Sequence, residues 1–187
     1  MDAPVTAPTS GRALVATIAL AGVIVVVVFG GYAVGRALSG PVGPPVDVAG
    51  AIRVEPLSGW EVAARFVDPP GVRLTRGGGN LDVVAVPYDG SALDLVGEYV
   101  GEVLEPEAHQ LSVSREVESV TLASGLRGVR IAYVGSFGKA QAPIEGEVTA
   151  VVSPSGAGAV FDGWGPEGLL RYVVDDIRAM IDLAEVA

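Results

Sequence analysis

From Ala13 to Val34 the chain runs through ALVATIALAGVIVVVVFGGYAV without a charged residue, and Arg12 and Arg36 bracket the run. At about 1.5 Å per helical residue such a run reaches roughly 33 Å, enough to cross a hydrocarbon core of about 30 Å. The pattern predicts a transmembrane helix over residues 13–35. A cleaved signal peptide is the rival reading, but its apolar core is shorter, about 7–15 residues. AVG at 33–35 and ALS at 37–39 offer only weak cleavage sites. The expectation is an uncleaved single-pass anchor in the lipid bilayer.

The rest of the chain divides by composition. Residues 1–12 read as a short polar tail, and residues 36–50, with SGPVGPPVDVAG, as a Pro/Gly spacer that favours extended backbone. A folded domain is expected over residues 51–187. Two of its segments have helical periodicity. In SALDLVGEYVGEVLEP, Ser91 and Asp94 have capping-box spacing, Leu93, Val96, Val100 and Val103/Leu104 form one face, and Pro106 stops the helix. In PEGLLRYVVDDIRAMIDLAEVA, Pro166 is placed near the first turn and Leu170, Val173, Ile177, Ile181 and Ala184 form the buried stripe. Arg171, Asp175, Arg178 and Asp182 alternate in sign on the opposite, solvated face.

Most of what remains alternates with period two. GWEVAARFV is expected to point Trp60, Val62, Ala64 and Phe66 to one side; VRLTR and LDVVAVP flank a glycine turn; HQLSVSREVESVTL slips phase near Arg115. LRGVRIAYVG, EGEVTAVVS and GAVFDGW complete the set. Strands, a helix, four strands and a closing helix predict an α+β domain with a mainly antiparallel sheet and packed helices.

Charge changes the picture of partners. From residue 41 onward there are 21 acidic and 10 basic side chains, a net charge of −11. The basic residues are scattered, so nucleic acid is not an expected partner. Such a domain is also poorly suited to an anionic inner leaflet, which favours an extracytoplasmic position. Cysteine is absent, which rules out a lipoprotein anchor and fits an outside location without requiring it. One lysine among twelve basic residues, with abundant Ala, Gly, Val and Pro, suggests a high-GC source such as an actinobacterium.

The run YVGSFG…EGEVTAVVSPSGAGAVFDGWGPEGLL…DIRAMID, with strand, glycine turn, strand and closing helix, resembles PsbP-like α/β/α sandwich domains. Small bacterial membrane-anchored versions belong to that group. Trp60, a following hairpin and an acidic first helix fit the same resemblance, which covers residues 55–187. It implies the sandwich fold and a binding role, as for most characterised members. It carries no functional residue onto this chain, because it rests on element order and turn placement.

Candidate chemistry is sparse. RGGGN at 76–80 joins two strands rather than a strand and a helix, and no P-loop string occurs, so it reads as a hairpin turn in which Gly77–Gly79 and Asn80 tolerate positive φ. SPSGAG reads as a second hairpin. Asp162, between Phe161 and Trp164, has three roles open to it: capping the last helix, lining a binding groove with Trp164, or acting as an acid. Glu145 and Glu147 share a strand face, and paired carboxylates perform acid/base work on glycosides. Asp175 and Asp176 diverge by about 100° on a helix and cannot jointly hold a metal. His109 stands alone, and no GxSxG string occurs. No metal site or cofactor is expected. Gly31 and Gly35 have GxxxG spacing and could bring two membrane helices together as a homodimer. The expectation is a single-pass, non-enzymatic membrane protein whose acidic domain binds a protein or envelope component. The alternative is an envelope hydrolase using Glu145, Glu147 or Asp162.

Overall fold

The computed structural model describes residues 43–138 and 141–187. The expected transmembrane helix at 13–35, with Gly31 and Gly35, lies outside the described residues. Among those described, no helix is long and apolar enough to cross a membrane.

The domain is built on an eight-stranded antiparallel sheet. Its strands are β3 (Glu61–Val67), β4 (Pro70–Arg76), β5 (Gly79–Pro87), β6 (Ala108–Val113), β7 (Glu118–Thr121), β8 (Arg127–Phe137), β9 (Ala142–Val152) and β10 (Ala157–Pro166). The spatial order is β3-β4-β5-β10-β9-β8-β6, and β7 also pairs with β8. A small second sheet joins β1 (Val46–Val48), β2 (Ile52–Val54) and β11 (Glu185–Val186) in the order β1-β2-β11. Strand β1 lies within the stretch assigned from sequence to the spacer, and its Val46 and Val48 are buried in the core.

One helix system covers each face of the large sheet. Helix α1 (Ala92–Tyr99) begins with the anticipated capping box: Ser91 Oγ accepts from the Asp94 N–H, and the Asp94 carboxylate accepts from the Ser91 N–H. It runs on through a π-helical turn, Val100–Leu104, and a short α2, Glu105–Glu107. The wider turn, in which the Glu105 N–H donates to the Val100 carbonyl, rephases the helix. The buried positions are Leu95, Val96 and Leu104; of the expected stripe, Leu93 near the start of α1 and Val103 within the π turn face solvent. Pro106 lies inside α2 and the helical segment ends one residue past it.

The opposite face is covered by the small sheet and by α3 (Val174–Asp182), preceded by a 3-10 turn at Leu170–Tyr172. The full stripe Leu170, Val173, Ile177, Ile181 and Ala184 is buried as expected. The helix is shorter than its periodicity suggests. Pro166 closes β10, Gly168 adopts φ of 78°, and the Glu145 carboxylate accepts from the Gly168 and Leu170 N–H groups instead of a longer helix forming.

Strand β3 does not keep the expected single side. Its register against β4 shifts between Val62 and Ala64. Val62 therefore shares a side with Leu74, toward α3, whereas Ala64 shares one with Arg73, toward α1. Trp60 ends up in the α3-side core and Phe66 on the α1 side beside Arg73. The other irregularity, near Arg115, is where the chain passes from β6 to β7 along the same edge of β8.

Candidate functional site

Strand alternation alone sorts the polar residues of the sheet between its two faces. On the α1 face, Arg73 of β4, Asp82 of β5 and Asp162 of β10 stand in one row, each directly opposite the next. Arg73 donates from Nε and Nη2 to the two carboxylate oxygens of Asp82 at 2.6 and 2.7 Å. Its guanidinium lies 5.0 Å from the Trp164 ring centre and 5.6 Å from that of Phe66. Trp164 Nε1 also donates to Asp82, at 3.2 Å. The hydrogen bond to Asp82 holds the Arg73 pKa above its ordinary value.

Asp162 lies deeper, with only 3% of its surface exposed. It accepts from the Tyr133 hydroxyl at 2.9 Å and from the Tyr99 hydroxyl at 3.0 Å, one on each oxygen. Tyr99 comes down from α1. Tyr133 crosses from β8, two strands away, over Gly146 of β9. A Cβ at Gly146 would overlap the Tyr133 ring, so a glycine is required for this reach.

Burial first, and the neighbouring Asp82 second, raise the Asp162 pKa from 3.8 to about 7, against the two tyrosine hydrogen bonds that favour its charged form. Burial first, then the Asp162 charge, holds both hydroxyls protonated well above the usual tyrosine range. Among the described residues, every buried side-chain polar atom has a hydrogen-bond partner.

A groove of about 530 Å³ opens beside this cluster. Val84, Val86, Leu95 and Val160 form its apolar floor, and Arg73, Asp82 and Tyr99 one end. Asp162 stands behind Tyr99.

The candidates named from sequence are divided by the sheet. Asp162 sits in the middle of β10, so it is a strand residue bonded to two tyrosines and not a helix cap. Trp164 shares its face and covers Arg73. Glu145 and Glu147 are on the opposite face. Glu145 holds the chain before α3, and Glu147 accepts from Arg178 at 2.9 and 2.5 Å and lies 3.8 Å from Arg130. The hydrogen bond to Glu147 raises the Arg178 pKa. The three carboxylates considered for hydrolysis do not converge in one pocket.

The glycines of RGGGN make a hairpin: Gly77 and Gly78 have φ of 56° and 89°, as a two-residue turn of the primed type requires, while Asn80 belongs to β5. SPSGAG turns β9 into β10 with Gly156 at φ of 86°. His109 is exposed, its Nε2 2.9 Å from the Gly138 carbonyl oxygen. Among the described residues, no group of three His, Asp or Glu side chains could hold a metal ion.

Asp82, Arg73, Tyr99 and Tyr133 were missed by sequence reasoning. The available signal was one aspartate in each of two apolar strands, LDVVAV and AVFDGW, but nothing local says that those strands are neighbours.

Comparison of the backbone with solved structures decides the architecture. The chain is similar to PsbP (CyanoP) of the cyanobacterium Synechocystis, with a TM-score of 0.55 and 15% identity over 79% of this chain and 96% of that one. The fold is PsbP-like. The PsbP-like sandwich also extends to the Ran-binding protein Mog1p of Saccharomyces cerevisiae, with a TM-score of 0.52 and 11% identity over 76% of this chain and 94% of that one. LpqN of Mycobacterium tuberculosis, a protein involved in cell envelope biogenesis, matches with a TM-score of 0.50 and 17% identity over 79% of this chain and 87% of that one. No protein-family profile matches the sequence. No curated protein matches it either.

Proposed function

We propose that this chain is a non-catalytic binding module, an acidic PsbP-like domain held at a membrane and engaging a protein or an envelope component. The observation that carries the reading is the groove beside the Arg73–Asp82–Asp162 row: its polar end is internally hydrogen-bonded, and Phe66, Pro69, Val86 and Val103 give it accessible apolar lining. Asp162 and Trp164 shape that groove from behind, by positioning Tyr99 and Arg73. Apolar floors with a few placed polar groups are what ligand and partner sites share.

In this proposal residues 13–35 form the anchor, and the domain, whose first strand begins at Val46 inside the stretch read from sequence as the spacer, lies on the outer side of the bilayer. The uncharged run between Arg12 and Arg36 and the net charge of −11 beyond residue 41 support that placement. Tethering would raise the effective concentration of the domain for membrane-bound partners. Gly31 and Gly35 would allow two anchors to pack as a homodimer. The scarcity of lysine supports a high-GC, actinobacterial source. Mog1p is a Ran-binding protein, which supports a binding role by fold, and LpqN is involved in envelope biogenesis, which supports an envelope setting.

The test is co-purification from native membranes followed by mass spectrometry. Partners should be recovered with the full chain and lost when residues 51–187 are deleted. Recovery of the same proteins with the anchor alone would sink the reading. Protease accessibility on intact cells checks the orientation.

A further inference from the structure

We infer that the groove between α1 and the β3–β4 hairpin receives a basic, partly apolar segment of a protein partner, with a Lys or Arg stem on the apolar lining and its cation among the rim carboxylates. This deepens the proposed binding role and rests on it. The rim of the groove carries Asp68, Glu98 and Glu102. Among the described residues none of these three takes part in an ion pair. The groove's one cation, Arg73, is bound on both oxygens of Asp82 and covered by two aromatic rings, so it does not neutralise the rim.

A second observation comes from the helix itself. Between Asp89 and Glu107 the chain has six acidic residues and no Lys or Arg. Glu98 and Glu102 are four apart, where like charges repel, and with Glu105 and Glu107 they lie toward the C-terminal end, where the helix dipole disfavours negative charge. Of these, Glu98 and Glu102 line the groove; Glu98 accepts from the Tyr88 hydroxyl at 2.8 Å, but among the described residues no cation offsets the pair. A cation arriving from outside relieves that repulsion. The accessible apolar lining, Phe66, Pro69, Val86 and Val103, suits the methylene stem that carries such a cation, as it would not suit a fully hydrated ion.

The experiment titrates the full chain, in neutral detergent micelles, with a short labelled peptide of alternating Leu and Lys. Parallel titrations use a Gly/Lys peptide of equal charge and a Leu/Glu peptide. The Leu/Lys peptide should bind saturably and more tightly than the Gly/Lys peptide, and the Leu/Glu peptide should not bind. Glu98→Gln with Glu102→Gln should weaken Leu/Lys binding about fivefold at moderate salt. Glu116→Gln with Glu185→Gln, the same charge change at exposed positions away from the groove, should leave it nearly unchanged.

Equal losses from the two double variants would reduce the effect to the domain's overall field and overturn the proposal. Competition by free spermidine as effective as by the peptide would do the same, by making the occupant a small amine. The broader binding role is separable. If native partners stay bound to the Glu98→Gln/Glu102→Gln chain, the groove assignment fails while the module reading stands.

Discussion

Asp82 and Asp162 face one another across neighbouring strands on the α1 side of the sheet, and among the described residues only Asp82 of the two is ion-paired. Like charges placed directly opposite in a sheet repel. The fold accommodates this pair asymmetrically. Arg73 neutralises one carboxylate, and two tyrosine hydroxyls solvate the other in a site that favours its protonated form.

Removing that cation should be costly. Arg73→Met leaves Asp82, 7% exposed, without its ion pair. A loss of about 2–4 kcal/mol is expected in urea unfolding, less than for a fully buried pair because Arg73 is partly exposed. Combining Arg73→Met with Asp82→Leu should recover much of it. A double variant as unstable as the sum of the two single variants would show that the two side chains are not coupled.

The protonation of Asp162 makes stability depend on pH. Its folded pKa of about 7 stands above the ordinary 3.8, so between those values the native state keeps a proton that the unfolded chain has released. Fewer protons in the unfolded state mean that stability falls as pH rises through that window, by up to about 1.4 kcal/mol per unit. Below the window, and above pH 7, this group adds no slope. Unfolding series between pH 5 and 8 should show a downward trend in the parent that Asp162→Asn flattens. An identical slope in both proteins would refute the assignment.

Gly146→Ala should act through Tyr133. The added methyl overlaps the ring that passes over β9 to reach Asp162. A loss of about 1–3 kcal/mol is expected, with a change in the near-ultraviolet circular dichroism of the aromatic cluster. Unaltered stability and spectrum would mean that Tyr133 does not need that passage.

On the other face, Glu147→Gln should behave as a structural variant. It removes the charged partner of Arg178 and weakens the surroundings of Arg130, which is 6% exposed. Destabilisation of about 1–3 kcal/mol is expected from the thermal or urea midpoint. Retention of full stability would show that these contacts contribute little.

Local pattern carried much of the architecture. The capping box at Ser91 and Asp94, the primed hairpin at Gly77 and Gly78 and the buried stripe from Leu170 to Ala184 follow from residues a few positions apart. Short-range chemistry dictates such features whatever the rest of the chain does. Where a single extra residue or a wider turn intervened, periodicity misled. The register shift in β3 separated Trp60 from Phe66, and the π turn left Val103 at the surface and Leu104 buried. Each change of phase depends on the partner strand or sheet against which the element settles.

By itself, the amino-acid sequence determined the order of the main strands and helices (though not β1, β2 and β11), the apolar run near the amino end and the acidic character of the rest. Only tertiary structure decided that β5 and β10 are neighbours, and thus that Asp82 and Asp162, eighty positions apart, share one row. It also decided that Glu145 and Glu147 belong to the other face. Alternation assigns a side chain to one of two sides, but which strands lie side by side is settled by packing over the whole sheet, and that is where a site made of distant residues comes into being.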